Sequence, residues 1–310
     1  MKLLYFLLVH TNSKQVVRLI NRLNTPKNQF VIHVSKNCEP GIYEHLLAAF
    51  NHEPNIAFAK RIKVKWGNFD VVQAALNCME ITCTKKYEYD RAYILSGQDY
   101  PLQSNEAIES KLAEYEGQQI MEFFPLPDDV RGHGQNRWRY YYFWIGKRHI
   151  HVPLVHQPAN PLLRIPAWLV NTILPKRKIP NGWQLYGGSF WSSFTPRAVD
   201  YFYNFPKTPE GRQVTSFLKS NLHPGEMFLQ TVLMNSPLKH SVVNENLHYI
   251  KFPSDSGHPV FFTANEIEDI GKNNELFARK IDSRVDEQIL DLLDQKLNDA
   301  PKKREINSCL

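Results

Sequence analysis

RAYILSGQDYPLQSNEAI, residues 91–108, carries an apolar run, Ala92-Tyr93-Ile94-Leu95, that stops at Ser96-Gly97-Gln98-Asp99 and turns through Pro101 into a polar helix start. A β-strand that delivers a glycine and a carboxylate to its C-terminal end is how open α/β sheets present residues to ligands. Outward from it the first hundred residues alternate strand and helix. KLLYFLLV (2–9), QFVIHV (29–34), NIAFAK (55–60) and RAYILSG (91–97) read as strands. SKQVVRLINRLN (13–24, capped by Ser13), GIYEHLLAAFN (41–51) and NFDVVQAALNCMEITCT (68–84) read as helices. NEAIESKLAEY (105–115) continues the series as a helix and QQIMEFF (118–124) as a strand. This order predicts an α/β fold with a mostly parallel central sheet and helices on both faces.

From Pro125 to about Pro180 the texture changes, with prolines, aromatics and basic residues crowding in and no clean period. A long irregular stretch in a compact domain is usually functional. Regularity returns with SFWSSF (189–194) as a strand, and PRAVDYFYNF (196–205), GEMFLQTVLMN (225–235) and DEQILDLLDQKLN (286–298) as helices. We read residues 1–310 as one domain: a regular half over 1–124, an elaborated half over 125–300, and a basic tail over 301–310.

The chain of 310 residues has a formal net charge of +6, which suits an anionic ligand, a nucleic acid or an anionic membrane face. Its basic residues are spread along the sequence, which speaks against nucleic acid. Cys38, Cys78, Cys83 and Cys309 show neither CxxC nor zinc spacing, so a reducing compartment is expected. The opening MKLLYFLLVH has no small-residue cleavage site and reads as a first strand. No run reaches the 18 apolar residues that a membrane span needs. AWLVNTILPKRKIP (167–180) fits a core helix with a basic end or a peripheral contact with an anionic membrane through 167–178, and both readings stay open.

No GxxxxGK, GxGxxG or GxSxG motif occurs. An Asp-x-Asp at a strand end would hold a divalent metal on a diphosphate. The nearest spacings, Glu88-Tyr-Asp90 and Glu266-Ile-Glu268, fall elsewhere.

Five blocks carry a more specific signal: VKWGNFDVVQAAL (64–76), ILSGQDYPLQSNEAI (94–108), GGSFWSSFTPRAVDYF (187–202), HPGEMFLQTVLMNSP (223–237) and LFARKID (276–282). In order and spacing they resemble the core-2/I-branching β-1,6-N-acetylglucosaminyltransferases and the peptide O-xylosyltransferases, from Leu3 to about Asp294. The resemblance implies a GT-A-type fold and an inverting transfer from a UDP-sugar, UDP-N-acetylglucosamine first and UDP-xylose next, to a glycan or lipid-linked glycan hydroxyl. It implies no metal and no other cofactor, and a cytoplasmic, bacterial member that builds surface polysaccharide or glycoconjugate, because the anchor, stem and disulfides of eukaryotic relatives are not seen.

A single displacement needs a base for the acceptor proton and cations for the departing diphosphate. The resemblance places the base at Glu226, with Gly225 where the family usually has Asp, and expects it in the first turn of a helix. It places the diphosphate contacts at Arg279 and Lys280, with a further contact near Ser256 and His258. The uridine site falls at Val9, Ser35, Val64 and Trp66; Ser35 departs from the family's usual Asp. Arg137, Trp138 and Phe252 fall at acceptor positions, and Asp99 lies close to the donor sugar. Two alternatives stay open: a metal-dependent transferase using Asp99, and a catalytically silent carbohydrate-binding protein on the same fold.

Overall fold

The computed structural model describes residues 1–65, 67–126, 138, 141–145, 148–152, 173, 177–180, 182–253, 258–270 and 275–299. Trp66, Arg137, Ser256 and most of 167–178 lie outside the described residues.

β1 (Leu3–Val9), β2 (Gln29–Val34), β3 (Ile56–Phe58) and β4 (Arg91–Ser96) are the four apolar runs of the first hundred residues. They pair in parallel in the spatial order β4-β1-β2-β3. β1 is buried along its whole length because both faces of the sheet are covered. Leu3, Tyr5, Leu7 and Val9 enter one core; Leu4, Phe6 and Leu8 enter the other. That alternation is the period of two of an extended strand.

The helices between them are α1 (Ser13–Leu23), α2 (Ile42–Phe50), α3 (Asp70–Thr84) and α4 (Asn105–Ala113). α1, α2 and α4 bury Leu19, Leu46 and Ile108 in the first core, and α3 buries Val72, Cys78 and Met79 in the second. The α1 cap is a correction. Asn12, not Ser13, caps the helix, in a left-handed conformation that asparagine tolerates, with its side chain accepting from Gln15 N at 3.2 Å.

The chain runs outward from β1 to β2 and β3 on one side, and β4 adds on the other. The strand order therefore reverses between the C-terminal ends of β1 and β4, the place where an open α/β sheet forms a ligand crevice.

β5 (Asp99–Pro101) follows at once, so the carboxylate that reads as a strand end heads a second, short strand. The expected strand 118–124 is split between β6 (Gln119–Ile120) and β7 (Phe124–Pro125), which lie in different sheets. β8 (Tyr141–Ile145) and β9 (Arg148–Val152) form an antiparallel hairpin inside the stretch that shows no period. β10 (Tyr186–Gly187) pairs β7, and β11 (Ser193–Phe194) is all that forms of the expected strand 189–194.

In the second half, α5 (Pro196–Asn204), α6 (Pro209–Lys219) and α7 (Phe228–Met234) complete the second core through Phe202, Leu218 and Phe228. β12 (Val242–Val243) closes the seven-stranded sheet, whose order is β12-β6-β11-β4-β1-β2-β3, so both halves of the chain contribute strands to it. β13 (His248–Ile250) and β14 (Phe277–Arg279) form a three-stranded sheet with β5, on either side of α8 (Ile267–Ile270). The terminal α9 (Gln288–Asp299) packs Ile289 and Leu293 on the first core, where Arg18 of α1 meets Asp294 at 2.7 Å. Among the described residues no helix is long and apolar enough to cross a membrane.

Candidate active site

The crevice between β1 and β4 is walled by three loops, and the sequence brings them unusually close. Gly97 is the residue that permits this: a Cβ there would stand 2.8 Å from Val16 Cγ2 of α1. Gln15 then ties the walls together, its Nε2 donating to Gly97 O at 2.9 Å and to Ile281 O at 2.8 Å. Asp282 is buried and accepts from Asn12 at 2.8 Å, Gln98 at 3.2 Å and Arg284 at 2.8 Å. Burial works to raise its pKa, and these donors, Arg284 first, outweigh it and hold the carboxyl well below its usual range. The segment 279–284 is thereby fixed against the end of β1.

Asp99 lies at the floor, fully buried. The β5–β14 register sets it opposite Arg279, whose Nη1 donates to Asp99 Oδ1 at 2.8 Å and also to Ser96 Oγ. Ser96 N donates to Oδ2 at 2.6 Å. Burial raises the cost of the charge, but Arg279, His248 and the Ser96 amide outweigh it and keep the carboxyl below its ordinary pKa. Arg279 Cζ also lies over Trp191, 4.0 Å from the ring centroid, a cation–π contact that helps hold the guanidinium in place.

Lys280 follows on the outer side. Burial and then the charge of Arg279 lower its pKa. Its Nζ stands 5.6 Å from the ring of Phe261, an exposed aromatic. His10, at the end of β1, faces the same charges: partial enclosure first, then Arg279, Lys280 and Arg284, lower its pKa. The rim of the crevice is therefore cationic, and an anion bound there would relieve the mutual repulsion.

Of the positions expected for a uridine, Val9, Ser35 and Val64 lie together, and Trp66 is outside the described residues. Val9 O accepts from Ser35 N at 2.9 Å. Val64 N donates to Ser35 Oγ at 3.1 Å and to Asn37 Oδ1 at 2.9 Å, and Asn37 Nδ2 returns a bond to Val64 O at 3.0 Å. The Ser35 hydroxyl thus accepts from Val64 N and donates to Asn37 Oδ1, so both its roles are directed at the chain itself.

Glu226 is exposed and lies in a 3-10 turn, Pro224–Glu226, not in the first turn of the helix. Met227, at φ −136°, breaks that turn from α7. Two contacts aim the turn. His223 N donates to Gly67 O at 3.0 Å, and Gly188 N donates to Glu226 O at 3.0 Å. Gly188 is three residues from Trp191, so one short segment joins the Glu226 turn to the face of Arg279. At Gly225 a Cβ would meet Val71 Cγ1 at 2.9 Å, so an Asp here requires Val71 to move.

Of the positions expected to hold an acceptor, Phe252 is 57% exposed, next to Lys251, whose carbonyl accepts from Val260 N at 2.9 Å on the Lys280 side. His258 is exposed. Trp138 is half-buried against the second core.

A family model described as "Core-2/I-Branching enzyme" matches residues 4–274. The chain belongs to the Core-2/I-branching enzyme family. It is 28% identical over 246 residues to "Xylosyltransferase oxt" of Drosophila pseudoobscura pseudoobscura, covering 79% of this chain and 25% of that protein. It is 26% identical over 312 residues to "Xylosyltransferase 2" of Rattus norvegicus, covering 94% and 33%. It is 22% identical over 321 residues to "Beta-1,3-galactosyl-O-glycosyl-glycoprotein beta-1,6-N-acetylglucosaminyltransferase 3" of the same species, covering 94% and 67%. The chain spans a quarter to a third of the length of the xylosyltransferases it matches.

Within the Core-2/I-branching frame, sequence reading missed His248, Trp191, Phe261 and Arg284. Arg284 stands five residues past Arg279 and donates to Thr11, Glu39 and Asp282. Its spacing within ARKIDSR was the only available signal. His248 is a lone histidine in NLHYIKF and carries no local signal at all.

Proposed function

We propose that this chain is an inverting glycosyltransferase that moves a sugar from a UDP-sugar to a glycan hydroxyl, without a metal. The observation that carries the reading is the meeting of Arg279, Lys280 and His10 at the point where the strand order reverses. In this reading Glu226 takes the acceptor proton, the acceptor oxygen bonds to the anomeric carbon, and the bond to the diphosphate breaks in the same displacement. The departing diphosphate meets the cationic rim, where a low-dielectric wall strengthens each charge. Asp99 supports metal-free chemistry, because both its oxygens already hold donors and a guanidinium occupies the side a cation would take. Phe252, with Phe261 beyond Lys280, offers apolar faces for an acceptor ring.

N-acetylglucosamine is the donor sugar we favour and xylose the next. The cytoplasmic, bacterial setting belongs to the same proposal, and the free thiols of Cys38, Cys78 and Cys83 support a reducing compartment. A panel of UDP-sugars with UDP release as readout, run with and without EDTA, tests donor and metal together. Glu226→Gln is expected to lower transfer by about 10²- to 10⁴-fold and to leave the Kd for UDP within about twofold. An active Gln variant removes Glu226 from the role, and activity lost in EDTA and restored by a divalent ion removes the metal-free reading.

A further inference from the structure

His248 sits beneath the cationic rim with its side chain fully buried. Its ring lies between Phe277, stacked at 5.5 Å, and Trp191, tilted at 6.2 Å. Nδ1 stands 3.3 Å from the Tyr93 hydroxyl. Nε2 faces Asp99 Oδ2 at 3.7 Å, too long for a hydrogen bond, and has no hydrogen-bond partner among the described residues. A carboxylate across from Nε2 selects the tautomer with the proton on that nitrogen, leaving Nδ1 to accept from Tyr93.

A buried N–H without a partner is costly, and one aimed at a buried carboxylate asks for an explanation. The explanation lies in what the rim does. Without an anion, Arg279 neutralises Asp99. A diphosphate that draws on the guanidinium weakens that bond and leaves Asp99 buried and under-compensated. A donor 3.7 Å away can close on it.

We infer that His248 is a positioning residue of the donor site: a reserve hydrogen-bond donor that takes up Asp99 when a diphosphate engages Arg279. This rests on the reading of the rim as the diphosphate site. The groups facing the imidazole are Asp99 of β5, Arg279 of β14 and the Tyr93 hydroxyl of β4, with Trp191 and Phe277 closing the rest. Burial first, and then the nearby Arg279 charge, lower the His248 pKa against the pull of Asp99, so the neutral donor form persists into mildly acid solution.

The test uses the full chain, with UDP as the probe in calorimetry. His248→Phe keeps an aromatic ring and removes the donor; His248→Gln places an N–H near the Nε2 position and cannot charge. The Phe variant is expected to weaken UDP about tenfold, and the Gln variant to recover most of the loss. Melting temperatures run beside this, since a purely structural role lowers stability in the Phe variant without changing UDP affinity. Equal UDP affinity in wild type and His248→Phe, or Gln no better than Phe, overturns the inference. Should the wild type itself bind no UDP, the reading of the rim fails instead. Nitrogen-15 spectra of His248 in the ligand-free protein then decide the local claim: a neutral ring protonated on Nε2 supports it, and one protonated on Nδ1 or a charged ring refutes it.

Discussion

Asp99 and Arg279 are the residues on which the site turns, and their burial makes the pair asymmetric. Asp99 is wholly enclosed and the Arg279 side chain is 12% exposed. Breaking a buried pair by deleting one member leaves an uncompensated charge and costs about 3–5 kcal/mol. Replacing both members can be close to neutral. Arg279→Ala is therefore expected to lower the unfolding free energy by about 3–5 kcal/mol in a urea titration, and adding Asp99→Asn to the same chain to restore most of it. A double variant no more stable than the single one would show that the stranded carboxylate is not the source. The same logic explains why Asp99 reads from sequence as a metal cradle. A lone carboxylate at a strand end has no visible partner, and the cation that answers it stands 180 residues away.

At the scale of elements, the sequence shows what is long and periodic. β1 to β4, and α1 to α4 between them, announce themselves through apolar runs and helical spacing, and the structure places them as expected. β5, β13 and β14 do not: each is three residues long like β3 but, unlike β3, is not spaced between two clear helices, and their register is fixed by each other and by the cores beneath. For the same reason the 3-10 turn at Glu226 reads as a helix start, since Pro224-Gly225 suits either and only Met227 separates the two. The split of 118–124 between β6 and β7 is likewise a tertiary choice.

His33 shows an element-scale tie with a measurable consequence. It lies at the end of β2, and its Nε2 accepts from Ile62 N at 3.2 Å, pinning the segment that continues to Val64. Burial first, and then the neighbouring Arg61 charge, lower its pKa from 6.5 to about 4. A folded pKa below the unfolded one means the fold prefers the neutral ring. Its contribution is thus complete above pH 6.5 and is lost as the pH falls toward about 4. The loss is about 3 kcal/mol over that window. His248 adds a change of the same sign. Stability measured by urea titration at pH 7.5, 6 and 5 is expected to fall steeply in the wild type and less in His33→Asn. Parallel curves for the two would refute the assignment.

On the scale of the whole molecule, the topology brings residue 9, residue 97 and residues 279–284 to one crevice, and the net charge of +6 gives that crevice a background of one sign. Field lines concentrate in a cleft with low-dielectric walls, so on the proposed reading a diphosphate is drawn both by the rim and by the surface around it. The two parts respond differently to salt. The screening length falls from about 10 Å at 0.1 M to about 3 Å at 1 M, which removes the contribution of distant exposed charges and leaves close, enclosed contacts largely intact. The Kd for UDP is expected to rise about fivefold over that range, and Lys280→Ala, which removes a half-buried cation of the rim, to weaken binding at every salt concentration while leaving the slope nearly unchanged. Reversing two exposed lysines far from the crevice should do the opposite, flattening the slope with little loss at 1 M. A slope that vanishes in Lys280→Ala would mean that the rim alone, and not the molecule's overall charge, attracts UDP.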